Sequence, residues 1–168
     1  MCIRDRSYIT ERAAAKLKLK PHCYEVLTYA SFGSGNSTTR RVPIANLEIQ
    51  TTDGCWLKLG ATIVPTITTS VVKHRIDPED YPVLRSVHLA EPLCEAEEIF
   101  DLDLLIGLDH YFQVVLKEQI DLGPSLVLMN TRLGWVPAGA IGKRLDANPI
   151  ATLISKATNE TVLSLIHI

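Results

Sequence analysis

Three aspartates stand close together in the run Asp101-Leu102-Asp103-Leu104-Leu105-Ile106-Gly107-Leu108-Asp109-His110. Carboxylates so placed could do two kinds of chemistry. Two of them about 3 Å apart can share a proton, one acting as base on a water and the other as acid on a carbonyl. Several together could instead ligate a hard cation. Asp101 and Asp103 fall on one face of an extended strand, yet nothing nearby completes a site, so helix capping and solvation are the better reading of all three. His88 and His110 sit beside apolar residues and read as core or surface positions. The acidic stretch Glu95 to Glu98 reads as a solvated loop or helix start.

Cysteine chemistry is equally sparse. Cys2, Cys23, Cys55 and Cys94 form no C-x-x-C pair, and no histidine lies at a metal-ligand offset from any of them. They read as reduced thiols, and no metal or other cofactor is expected. A length of 168 residues suits one domain, and 46% apolar with 21% charged residues is globular composition. The net charge of -2 gives no electrostatic reason to expect nucleic acid or an anionic membrane as partner. No apolar run approaches the ~20 residues that span a bilayer, and Met1 to Arg6 lack the apolar stretch of a secretory signal. The expected setting is intracellular, in the cytoplasm.

The elements that must position these residues are mostly strands. Thr10 to Leu17 is predicted to be a short helix, with Thr10 as its cap, Glu11 in the first turn, three alanines, and Pro21 stopping any continuation. Tyr24 to Ala30 is rich in β-branched and aromatic residues and reads as a strand leading into a Gly/Ser/Asn loop at Ser31 to Ser37. Arg41 to Ile49 alternates polar and apolar residues, Asp53-Gly54 signals a hairpin, and Trp56 to Val64 reads as the returning strand. Residues 74–98 carry Asp-Pro and Tyr-Pro breakers and read as irregular. An apolar strand then ends at Gly107 and passes into a short helix. Ser125 to Thr131 and Leu133 to Val136 read as two strands meeting at a turn. The expected class is an all-β barrel with one or two short helices.

The two ends invite a separate expectation. The mosaic-end adapter of transposase-based library preparation translates as Met-Cys-Ile-Arg-Asp followed by Arg or Ser, which matches residues 1–6. Its reverse complement gives Leu-Ser-Leu-Ile-His-Ile, which matches residues 163–168. Residues of such origin were never selected to pack. Residues 7–141 are expected to form the domain and residues 142–162 a linker beyond it. Residues 1–6 and 143–168 are expected to make few contacts with the domain.

Five segments in order carry a specific likeness: Ser7-Tyr8-Ile9-Thr10-Glu11, Phe32-Gly33, Leu89-Ala90-Glu91-Pro92, Asp103 to Asp109, and Leu133-Gly134-Trp135-Val136. Together they resemble the aspartic-peptidase domain of BEL/Pao retrotransposons, a retropepsin-like closed β-barrel, across most of residues 7–141. The resemblance implies a homodimeric endopeptidase that cuts its own polyprotein, with one aspartate per subunit and the active site on the two-fold axis. In that family the first motif resembles Asp-Ser-Gly-Ser-x-x-Ser-Tyr-Ile. Its Asp-Ser-Gly falls here on Met1-Cys2-Ile3, so the activating aspartate is absent, Asp5 does not replace it, and no residue is assigned as catalytic. The resemblance also implies a substrate-binding flap at Ser31 to Ser37, including Phe32, Gly33 and Ser34. It implies a floor at Leu104 to Gly107, where a side chain on Gly107 would crowd a crossing chain. The competing reading is a non-catalytic dimerisation or peptide-binding module on the same barrel, because fold alone does not decide function. A reverse-transcriptase fragment is disfavoured by the lack of any Asp-Asp pair.

Overall fold

The computed structural model describes residues 5–30 and 37–139. Strand β1 (Tyr8–Thr10) runs directly into helix α1 (Glu11–Lys16). The Thr10 hydroxyl accepts the Ala13 N–H at 3.2 Å, as its capping role requires. Ala13 and Ala14 are the buried face of the helix. After Pro21 the chain forms a meander of β2 (Cys23–Ala30), β3 (Ser37–Gln50) and β4 (Trp56–Val64). In β3 the buried Leu47 and Ile49 alternate with exposed Asn46, Glu48 and Gln50, the signature of a strand with one face in the core. The β3–β4 turn forms at Asp53-Gly54. The Asp53 carboxylate accepts the Thr51 hydroxyl and the Cys55 N–H, which holds its acid strength above that of an ordinary aspartate.

The next strands are short. They are β5 (Val71–Lys73), β6 (Glu98–Phe100) and β7 (Leu104–Leu105), with a 3-10 turn at Pro82–Arg85 between the first two. Helix α2 (Leu108–Val114) leads into β8 (Val115–Gly123), β9 (Leu126–Thr131) and β10 (Gly134–Gly139). β-Strands dominate, so the class is all-β with two short helices.

The expected closed barrel is not what the pairing gives. The described strands fall into a five-stranded sheet in the order β2-β3-β4-β1-β7, a three-stranded sheet β10-β9-β8, and the pair β5-β6. The five-stranded sheet stops at β7 because that strand is only two residues long before Gly107 turns the chain into α2.

β1 sits inside the larger sheet, with a neighbour on each side. It lies parallel to β4, with Ile9 opposite Ile63, and antiparallel to β7, with Ile9 opposite Leu104. Ile9 is fully buried at 0% exposure. It packs in a core of Leu47, Leu59, Leu102, Ile106 and Val114, against which Met129, Val136 and Ala138 of the three-stranded sheet also pack. A smaller cluster of Ile76, Leu84 and Leu128 is covered by Trp135 and its neighbours.

Candidate functional site

Where the chain enters β1 it crosses the start of α2, and the crossing is close. A Cβ added to Gly107 would lie 2.3 Å from the Arg6 carbonyl oxygen and 2.4 Å from its carbon. Gly107 itself has an ordinary φ of -85°, so contact and not backbone conformation requires glycine here. Polar bonds fix the crossing. The Gly107 N–H donates to Ser7 Oγ at 3.0 Å, and that hydroxyl donates to Asp109 Oδ1 at 2.7 Å. The Ser7 N–H donates to Asp109 Oδ2 at 3.0 Å. One carboxylate therefore holds both donors of Ser7, and the Ser7 carbonyl in turn accepts the Thr62 N–H at 2.9 Å. Ser7 is 1% exposed, so losing this clamp would strand buried polar groups.

A second clamp holds the far end of β1. Asp103 is 5% exposed and its Oδ1 accepts the Thr10 hydroxyl at 2.6 Å and Arg12 Nη2 at 2.9 Å. Arg12 Nη1 reaches Asp101 at 3.3 Å, and Ser70 Oγ donates to Asp101 at 2.9 Å. Hydrogen bonding and charge from Asp103 raise the Arg12 pKa further.

These contacts correct the reading of Asp103 and Asp109 as helix caps and solvated groups, whereas Asp101 is exposed, as expected. Thr10 caps α1, and the cap position of α2 is Gly107, which has no side chain to use. Instead, Asp103 and Asp109 pin the two ends of β1 to the segment 103–109. They share no proton with one another, and both are occupied as acceptors. No local pattern in the sequence joins Ser7, Thr10 and Arg12 to Asp103 and Asp109. The partners lie 91 to 102 residues apart.

His110 turns inward, where its Nε2 accepts the Gly60 N–H at 3.1 Å and its Nδ1 faces the Gln113 amide at 3.2 Å. It anchors α2 on β4. His88 is exposed, as is the acidic stretch 95–98, where Glu97 pairs with His74 at 2.8 Å. Cys23, Cys55 and Cys94 are free thiols.

Between α2, β4 and the base of the β2–β3 hairpin lies an open, mainly polar cleft of ≈ 260 Å³. Arg6, Ser7, Glu25, Asn46, Asp109 and His110 are among its lining residues. Arg6 Nη1 reaches Glu25 at 2.5 Å across it. Arg6 was expected to make few contacts; it is instead built into the fold through this ion pair and the Gly107 crossing.

Four of the five segments that carried the likeness lie within the described residues, and they meet in two pairs. Residues 7–11 pair with 103–109 as described. Leu89 bridges Trp135, the Ala90 N–H donates to the Trp135 carbonyl at 2.9 Å, and the Trp135 N–H donates to the His88 carbonyl at 2.8 Å. Gly134, at φ +119°, has the Ala90 nitrogen 2.6 Å from where its Cβ would be. Glu91 is paired with Lys73, whose Nζ also donates to the Pro92 carbonyl at 2.9 Å. The flap candidates Phe32, Gly33 and Ser34 lie outside the described residues, as do residues 142–168. This chain matches no known family description, no curated protein and no solved structure.

Proposed function

We propose that this chain is the scaffold of a retropepsin-like aspartic endopeptidase domain of the BEL/Pao type, which as a homodimer cuts its own polyprotein in the cytoplasm. The observation that carries the reading is the crossing of Arg6-Ser7 over Gly107, locked by the Asp109 carboxylate. Such an enzyme needs the chain just before Ser7 held rigidly, because the catalytic aspartate precedes that serine by six residues in the family motif. A carboxylate fixed in a near-attack geometry lowers the barrier by sparing the entropy of positioning it. Asp109 and Ser7 are the groups that would provide the fixing. In this reading the floor is Leu104 to Gly107, and a peptide substrate would contact Phe32, Gly33 and Ser34.

In the dimer, one aspartate of the pair takes a proton from water while the other gives one to the scissile carbonyl. Met1 stands here at the aspartate position, so the chain as it is has no general base to offer and is inactive in this reading. The experiment is to place Met1→Asp, Cys2→Ser and Ile3→Gly together behind an N-terminal extension. Expected are pepstatin-sensitive cleavage of a diverse peptide library and a bell-shaped pH profile, both lost when Met1→Asn replaces Met1→Asp. The unaltered chain should show no turnover at acidic or neutral pH. A substituted chain that folds and dimerises without aspartate-dependent cleavage would make the domain a non-catalytic dimerisation or peptide-binding module.

A further inference from the structure

Asp53 is the only aspartate in the chain that precedes a glycine. That dipeptide carries a chemistry of its own. The Gly54 nitrogen can attack the carboxyl carbon of the Asp53 side chain, since no Cβ on the glycine hinders the approach. A bond forms between nitrogen and carboxyl carbon, and the carboxyl C–OH bond breaks. The hydroxyl leaves as water, taking up the proton that the Gly54 amide gives up, and a five-membered succinimide remains. Water then adds to one of its two carbonyls. One addition restores aspartate. The other leaves isoaspartate, in which the backbone runs through the side-chain carbon and is one methylene longer. The reaction starts only from a protonated carboxyl, whose oxygen can depart as water, and a Gly54 N–H that is free to take part.

The folded turn removes both conditions. The Asp53 carboxylate accepts the Thr51 hydroxyl and, at 3.3 Å, the Cys55 N–H. The Thr51 hydroxyl first, and the Cys55 N–H after it, hold this carboxyl below the ordinary aspartate range, so it stays ionised. The Gly54 N–H is occupied as well, donating to the Thr51 carbonyl at 2.9 Å. Thr51 is the hub of the turn. Its hydroxyl also lies 2.9 Å from the Cys55 carbonyl, and its own N–H donates to that carbonyl at 2.9 Å. It is 6% exposed, whereas residues 52–56 are all exposed. Water therefore reaches Asp53 freely, and hydrogen bonding, not exclusion of solvent, is what restrains the reaction. The same turn fastens the two larger sheets to one another. The Thr52 N–H donates to the Arg132 carbonyl between β9 and β10 at 2.8 Å, and the Thr52 hydroxyl donates to it at 3.3 Å. A methylene added to the backbone at Asp53 changes the spacing on which those bonds depend.

We infer that Asp53 is a modification site, a latent point of isoaspartate formation that the Thr51 hydroxyl holds shut in the folded protein, and that its conversion loosens the tie between the β3–β4 turn and Arg132. The test incubates the full chain for weeks at physiological temperature and neutral pH, both native and unfolded in urea. Isoaspartate at position 53 is then measured by peptide mapping with electron-transfer fragmentation, which distinguishes the two isomers. The unfolded chain should convert several-fold faster than the native one. Thr51→Val, with folding checked by circular dichroism, should speed conversion several-fold in the native state, and Thr51→Ser, which keeps the hydroxyl, should match the parent. Native conversion as fast as in urea, or a folded Thr51→Val no faster than the parent, overturns the inference. Should Thr51→Val not fold, the comparison of the native and unfolded parent decides alone. The isoaspartyl chain, separated by chromatography, should lose hydrogen-exchange protection at the Thr52 amide. Protection there equal to that of the parent overturns the tie to Arg132.

Discussion

Replacing Gly107 with alanine would put a methyl group 2.3 Å from the Arg6 carbonyl oxygen, so either the crossing chain or the start of α2 must move. Overpacking against backbone is not relieved by a rotamer change, and Gly107→Ala should cost about 2–3 kcal/mol in urea unfolding. A cost below about 0.5 kcal/mol would show that the crossing is loose. Asp103 gives a second residue-level expectation. Asp103→Ala leaves the Thr10 hydroxyl and Arg12 without their shared acceptor, and should cost about 2–3 kcal/mol. Asp103→Asn keeps an acceptor for Thr10 and should cost roughly half as much, since Arg12 is largely exposed and its ion pair is screened. Equal losses in the two variants would mean that charge, not acceptor capacity, holds β1. At this scale the sequence was legible where the partner is near. Thr10 as a cap three residues from its donor could be read; Asp109 as the acceptor for Ser7 could not, because no local pattern connects positions 102 apart.

Elements were legible where their signals are local and regular. The two-residue period of β3, the Asp53-Gly54 turn and the strand that ends at Gly107 each announce themselves within ten residues. β8 did not, because register shifts between Val115 and Gln119 and again between Asp121 and Gly123 break the alternation that would identify it. β1 and β5 are three residues each, too short to show a period at all. β5 also carries Lys73, whose partner Glu91 gives a pH prediction. Burial pushes the Glu91 carboxyl above the ordinary glutamate value, Lys73 pulls it back, and the charge of Glu98 adds to the rise. The folded state therefore holds this proton more tightly than the unfolded chain. The resulting stabilisation is complete below the ordinary glutamate pKa and is lost as pH rises through the folded value. Glu91→Gln removes that dependence, so its stability relative to the parent should improve steadily from about pH 4 upward. Thermal melts of the two proteins that stay parallel across the acidic range would contradict this assignment.

At the scale of the molecule, composition and strand count were enough for an all-β class, but not for how the sheets divide. Closure depends on strand length and pairing between distant segments, and the two residues of β7 end one sheet where a barrel would continue. The same long-range pairing has a consequence in time. β1 is made before both of its neighbours in the sheet, and the clamps that fix it close over 93 and 102 residues. A fold with such high contact order is slow to nucleate, since loop closure must be completed before any contact rewards it. The β3–β4 hairpin, local and self-contained, can form early while the apolar Ile9 waits without cover. In refolding followed by pulsed hydrogen exchange, amides of β3 and β4 should gain protection before those of Tyr8 to Thr10. Simultaneous protection would place β1 in the folding nucleus. On a ribosome, the nascent chain stays open to chaperones, and to pairing with neighbouring nascent chains, until residue 109 has emerged to take hold of Ser7.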